Sequence, residues 1–228
     1  MSEHITVLSA LNRLLKQPEA TAGAMAKGVP VSTAVFLAGA LGCFAIYGLA
    51  AGFFQGDLQI VIASLKAPVI VFGTALLCLP SFYVFTSLAG SELSPARTIG
   101  MLAGFCAVLG LLMTGMLPVA WLFSVSTRSI LFVFWMHLIM WFAALVFARN
   151  YLRVAFPSLP ERRVLRLWIL MFVLVSFQMT THLRPVLWRD PDQGVFSAGK
   201  MSFFEHFRAM NAAAFRDPKA MAQGRAAD

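Results

Sequence analysis

Two small groups of residues and one polar cluster in this chain are of types that do chemistry. The first group is Cys43, Cys78 and Cys106, the only three cysteines. Three thiolates can hold a soft metal, but without one they are costly in apolar surroundings, and cysteine more often serves as a small buried apolar residue. The second group is His137 and His182, which lie in neighbouring apolar stretches. Two axial imidazoles must flank one haem iron at similar depth, and these two sit about 10 Å apart along the helix direction at 1.5 Å per residue. His137 is therefore expected to hydrogen-bond a neighbouring helix, and neither a metal nor a cofactor is expected. Phosphate-loop, zinc-protease and nucleophile-elbow patterns are all missing from the sequence. No Asp or Glu interrupts the apolar stretches, so the carboxylates usual in proton-coupled and ion-coupled carriers are lacking. No catalytic residue is expected, and the chain reads as no enzyme.

The polar cluster draws on two places. Ser124, Ser126, Thr127, Arg128 and Ser129 mark a tight turn. Gln178, Thr180, Thr181, His182 and Arg184 end the last apolar stretch, and Lys66 begins the second one on the same side. Such groups are costly against lipid, so they should face each other or a ligand. Either they form a hydrogen-bonded lid, or Lys66, Ser126, Arg128, Gln178, Thr181, His182 and Arg184 bind an anionic lipid headgroup or a partner's acidic segment.

The elements that would carry these residues follow from charge. Of 228 residues, 59% are hydrophobic and 12% charged, against about 25% charged in an ordinary soluble domain. The mean hydropathy is +0.77. Five stretches hold no Lys, Arg, Asp or Glu: 28–56, 67–91, 98–127, 129–148 and 167–183. A bilayer core about 30 Å thick needs about 20 apolar helical residues. The fold expected is all-α, a polytopic membrane protein with five spans near 31–54, 67–89, 99–123, 129–149 and 164–184. Pro80 should kink the second span. Tyr151 and Trp168 are expected at one membrane interface, with Trp121 and Trp188 at the other.

Three parts follow: an amphipathic N-terminal segment (1–28), the five-helix domain (29–184) and a tail (185–228). Ile5, Leu8, Leu11 and Leu15 give residues 2–17 one apolar face, which would lie on the membrane or pack on the protein itself. In the tail, the Ser202-Phe203-Phe204-Glu205 capping box opens an amphipathic helix over 202–215. Phe203 and Phe207 head its apolar stripe, fit for the membrane face or a partner. Nine Lys and Arg flank one side of the spans, against Lys66 and Arg128 on the other. The positive-inside rule then puts the N-terminus inside and the C-terminus outside.

Gly48 and Gly52, like Gly100 and Gly104, have small-xxx-small spacing that lets helix backbones approach, within the chain or between subunits. The stretch Ser64-Leu65-Lys66-Ala67-Pro68, with Leu79-Pro80-Ser81-Phe82-Tyr83-Val84-Phe85 and Gly90, resembles bacterial multi-pass proteins related to the Yip1 family. The likeness spans roughly residues 5–155. It implies the same N-in, five-span, C-out layout, a bacterial cytoplasmic (inner) membrane location and a non-enzymatic role, and it carries over no site residues. The expected function is an integral membrane scaffold or anchor in a larger complex. The alternative is a small channel, carrier or lipid-handling protein using the outer polar cluster. Expected partners are membrane lipids and other subunits, including copies of the chain itself. Nucleic acid is not expected, because no folded basic domain exists to present the charges.

Overall fold

A computed structural model describes residues 7–26, 33–54, 58–91, 94–127, 129–156 and 159–183. Among them are eight helices and no strand: α1 (Val7–Lys16), α2 (Pro18–Ala26), α3 (Thr33–Gly52), α4 (Leu58–Leu88), α5 (Pro95–Gly115), α6 (Leu117–Ser126), α7 (Ile130–Ala155) and α8 (Leu159–His182). Five of them, α3, α4, α5, α7 and α8, are long and apolar enough to cross a membrane. The protein is an all-α, multi-pass integral membrane protein. Large apolar side chains stay exposed along these helices, among them Leu41, Leu76, Ile139, Val146 and Leu170. Lipid is as apolar as they are, so nothing drives them inward.

Helix α5 lies at the centre, packed against α3, α4 and α7. Glycine sets how closely its neighbours come. A β-carbon on Gly52 would lie 2.9 Å from the Gln59 carbonyl oxygen, and one on Gly48 would strike the backbone of Ala63 and Ser64. The α3–α4 pair thus packs backbone to backbone. Gly104 leaves room for the Tyr151 phenol from α7, and Gly100 faces Met25 of α2 and Thr33 of α3. Both glycine pairs contact neighbours within the chain.

One end of the bundle holds the start of α3, α5 and α8 with the close of α4 and α7. Here Phe82, Phe105, Phe156, Trp168 and Phe172 are buried in ring-to-ring contact, with the Phe82 and Trp168 centroids 4.5 Å apart. The Trp168 indole N–H donates to the Cys78 carbonyl at 3.0 Å, and Ser81 Oγ donates to the same oxygen at 2.8 Å. Pro80 cannot donate in this turn, so the helical bond to the Leu76 carbonyl is missing. Tyr151 and Trp168, expected at an interface, are both buried within the protein, and the Tyr151 hydroxyl donates to Met25 Sδ at 3.1 Å. Their polar tips found partners inside the protein, which an aromatic at a span end does when a neighbouring helix supplies one.

The N-terminal segment packs on its own bundle. Ala10 and Leu14 are buried, Leu11 presses on Gly39 of α3, and Arg13 and Lys16 stay exposed. Pro18 both ends α1 and opens α2, where a missing N–H costs nothing. Two span boundaries differ from the charge gaps. Helix α4 begins at Leu58, so Lys66 is buried well inside it and not at its edge. The stretch near 99–123 is broken at Met116, because Pro118 removes the N–H that would continue α5 into α6. The Thr114 hydroxyl near this break lies against the carbonyls of Gly110 at 2.9 Å and Cys43 at 3.3 Å.

Candidate functional site

The opposite half of the bundle is less tightly filled. Between α3, α4, α5, α7 and α8 lies a partly open cleft of about 180 Å³. Its walls come from Phe44, Tyr47 and Gly48 of α3, Ala63, Ala67 and Ile70 of α4, and Met113 of α5. Phe134, His137, Leu138 and Trp141 of α7 and Ser176, Phe177 and Thr180 of α8 complete it. No charged side chain lines it among the described residues. The Trp141 and Phe177 rings meet at 5.7 Å, and Phe142 and Phe177 at 5.8 Å, joining α7 to α8 on that side.

The polar atoms of the cleft are few and unequally served. The Tyr47 hydroxyl and His137 Nδ1 are 2.5 Å apart, with the rings edge-on at 90°. A buried phenol O–H needs an acceptor. If Nδ1 serves as that acceptor, the imidazole proton sits on Nε2. His137 thus bonds a neighbouring helix, as its place in an apolar stretch implied. Its Nε2 is buried and has no hydrogen-bond partner among the described residues. An unpaired buried polar group costs about 1–3 kcal/mol. Neither a carboxylate nor a second histidine lines the cleft to orient this imidazole for acid–base work.

Ser176 differs from five threonines in the spans. Thr74, Thr86, Thr98, Thr180 and Thr181 all turn their hydroxyls onto the carbonyl four residues back. That bond hides a polar group from lipid. Ser176 lines the cleft, is buried against bulk solvent, and makes no such bond. Its hydroxyl is left to the cleft.

The residues expected from sequence to form an outer site are placed as follows. Gln178 and His182 bond to each other at 3.2 Å on the exposed face of α8, while Thr181 is buried and bonded to Phe177 O. Ser126 is exposed at the end of α6. Ser129 caps α7, its Oγ accepting from Phe132 N, and Thr127 Oγ1 accepts from Ser129 N. Ser124 is buried, with its Oγ unpaired. Thr127, Ser129 and Thr181 are thus spent on nearby backbone. Arg128, Arg184, Phe203 and Phe207, with the helix expected over 202–215, lie outside the described residues. The three cysteines are buried free thiols, Cys43 lying against Gly110. No cluster of His, Cys, Asp and Glu able to hold a metal occurs among the described residues.

The sequence signal for the cleft was a polar tip in an apolar helix: Tyr47 in α3, His137 in α7 and Ser176 in α8. Their meeting was not readable, because 90 positions separate Tyr47 from His137. Compared with protein-family models, with curated proteins and with solved structures, the chain matches none.

Proposed function

We propose that this is a non-enzymatic, lipid-handling membrane protein that holds a lipophilic molecule in the Tyr47–His137 cleft. One observation carries the reading: an uncharged, aromatic-lined cleft, placed among membrane-spanning helices, in which polar atoms remain unserved by the protein. Ligand sites are mostly apolar concavities with a few placed polar groups. The single imidazole without a carboxylate beside it supports binding over catalysis. Native mass spectrometry from mild detergent is expected to show a retained apolar adduct. Ala67→Phe, which fills the cleft from α4, should expel it without lowering thermal stability. An adduct indifferent to Ala67→Phe, or no adduct, would end this reading.

The orientation proposed is N-terminus inside, in a bacterial cytoplasmic membrane, with the cleft in the outer leaflet. In support, every described arginine lies at the opposite end, on α1, the start of α5 and α8 or the close of α7. The inner-membrane location and the non-enzymatic role also agree with the Yip1-like resemblance. A scaffold role in a larger complex is the second reading, favoured by α6. Val119, Trp121, Leu122, Phe123 and Val125 are all exposed on a helix too short to cross a bilayer. Photo-crosslinking from position 122 should yield a protein adduct if the scaffold reading holds, and lipid adducts alone if it does not.

A further inference from the structure

The chemistry of the cleft narrows its ligand, provided the lipid-handling reading above is right. Size comes first. A cavity of roughly 150 Å³ lined by apolar side chains takes up benzene, so about 180 Å³ accommodates one six-membered ring with small substituents. A whole acyl chain is too large to be enclosed. Shape comes second. Phe44, Tyr47, Phe134, Trp141 and Phe177 present rings from three helices, and aromatic walls favour a flat partner. Charge comes third. With no charged lining residue, a charged head would lose its hydration without compensation.

Hydrogen bonding decides the functional group. The Ser176 hydroxyl is open to the cleft and unspent. The His137 ring also lines the cleft, and its Nε2 is closed to solvent and unpaired. In the tautomer in which Tyr47 donates to Nδ1, the His137 Nε2 is a donor, and a serine hydroxyl can donate or accept. A ligand carbonyl oxygen, which only accepts, satisfies both groups as donors. Depth agrees with an uncharged head. His137 lies seven residues into α7, about 10 Å along the axis, below the level where charged headgroups sit.

We propose that the cleft binds the carbonyl-bearing ring of a quinone-class lipid, with its apolar tail left in the bilayer. Ser176 Oγ donates to one ring carbonyl, and the Tyr47–His137 pair forms the polar wall beside it. Binding alone is proposed, with no electron or proton transfer.

The probe is a short-tailed benzoquinone added to the purified full-length protein, read by quenching of Trp141 fluorescence. The Trp141→Phe protein supplies the background from the other tryptophans. Expected is saturable quenching that Ala67→Phe abolishes and Ser176→Ala weakens about 5- to 10-fold, the worth of one hydrogen bond. The same ring without carbonyls should bind at least as weakly as the quinone binds to Ser176→Ala. Should Ser176→Ala fail to fold, this wild-type comparison of the two rings decides alone. Equal binding of both rings would overturn the carbonyl assignment. A retained acyl lipid that Ala67→Phe expels and the quinone cannot displace would also overturn it, while leaving the lipid-handling reading intact. If Ala67→Phe alters neither the adduct nor the quenching, both readings fall.

Discussion

The two halves of the bundle use the same residue types to opposite ends. In one, Trp168 is buried with its N–H given to the Cys78 carbonyl, and three phenylalanines pack around it. In the other, Tyr47 and His137 satisfy each other on one side only, and the space beside them stays partly open. Both halves are rich in rings. What separates the two ring clusters is whether the ring nitrogen at their heart has a partner: the Trp168 N–H does, and the His137 Nε2 does not. In lipid, helix association rests on close van der Waals packing and interhelical hydrogen bonds, so the completed half is where stability should reside. The incomplete half is where a ligand has something to add.

The largest predicted effect lies in the completed half. Trp168→Ala removes the ring on which Phe82, Phe105 and Phe172 converge, and the loss should be about 3–5 kcal/mol, as for other large-to-small changes in a packed interior. Denaturant titration in micelles measures it. A loss under 1 kcal/mol would mean the ring cluster is not the stability centre. Next comes the seam between α3 and α4. Gly48→Leu meets backbone atoms that cannot swing away, and overpacking of this kind costs about 1–3 kcal/mol. Because Gly48 also borders the cleft, this variant should lose ligand binding and stability together, whereas Ala67→Phe should lose binding alone.

How far the sequence revealed these halves depended on the physics behind each signal. Charge is excluded from hydrocarbon whatever the neighbours, so the five spans could be read from gaps in Lys, Arg, Asp and Glu. Their ends were less legible. Lys66 looked like a boundary because it is charged, yet α4 buries it well inside a helix of 31 residues. A buried cation needs tertiary partners, and those are not written locally. Pro118 is conspicuous, but one residue does not say whether a helix bends or breaks. Tyr151 and Trp168 show the same limit: an aromatic with a polar tip suits the interface or a buried partner equally. The cleft was the least legible feature. In a lipid-exposed bundle the helices are apolar on all sides, so no periodic pattern separates a face toward a cleft from a face toward lipid. The hydroxyls near 124–129 and 178–182 drew notice because they cluster in sequence. Ser176, flanked by Val175 and Phe177, did not.

The smallest predicted effect is the sharpest, because its sign differs between the halves. Trp168→Phe keeps the ring but removes the N–H, leaving the Cys78 carbonyl to Ser81, and should cost about 1 kcal/mol. The paired change Tyr47→Phe with His137→Phe deletes a hydrogen bond too, but it also deletes the unpaired Nε2. Replacing both partners by apolar groups of similar shape is near neutral or stabilising. The double variant should therefore hold its stability, or gain up to about 1 kcal/mol, in ligand-free micelles. His137→Phe alone should fall below the double variant, since it strands the Tyr47 hydroxyl. If the double variant is instead destabilised as much as Trp168→Phe, the Tyr47–His137 pair is a packing bond like that of Trp168, and the two halves do not differ in kind.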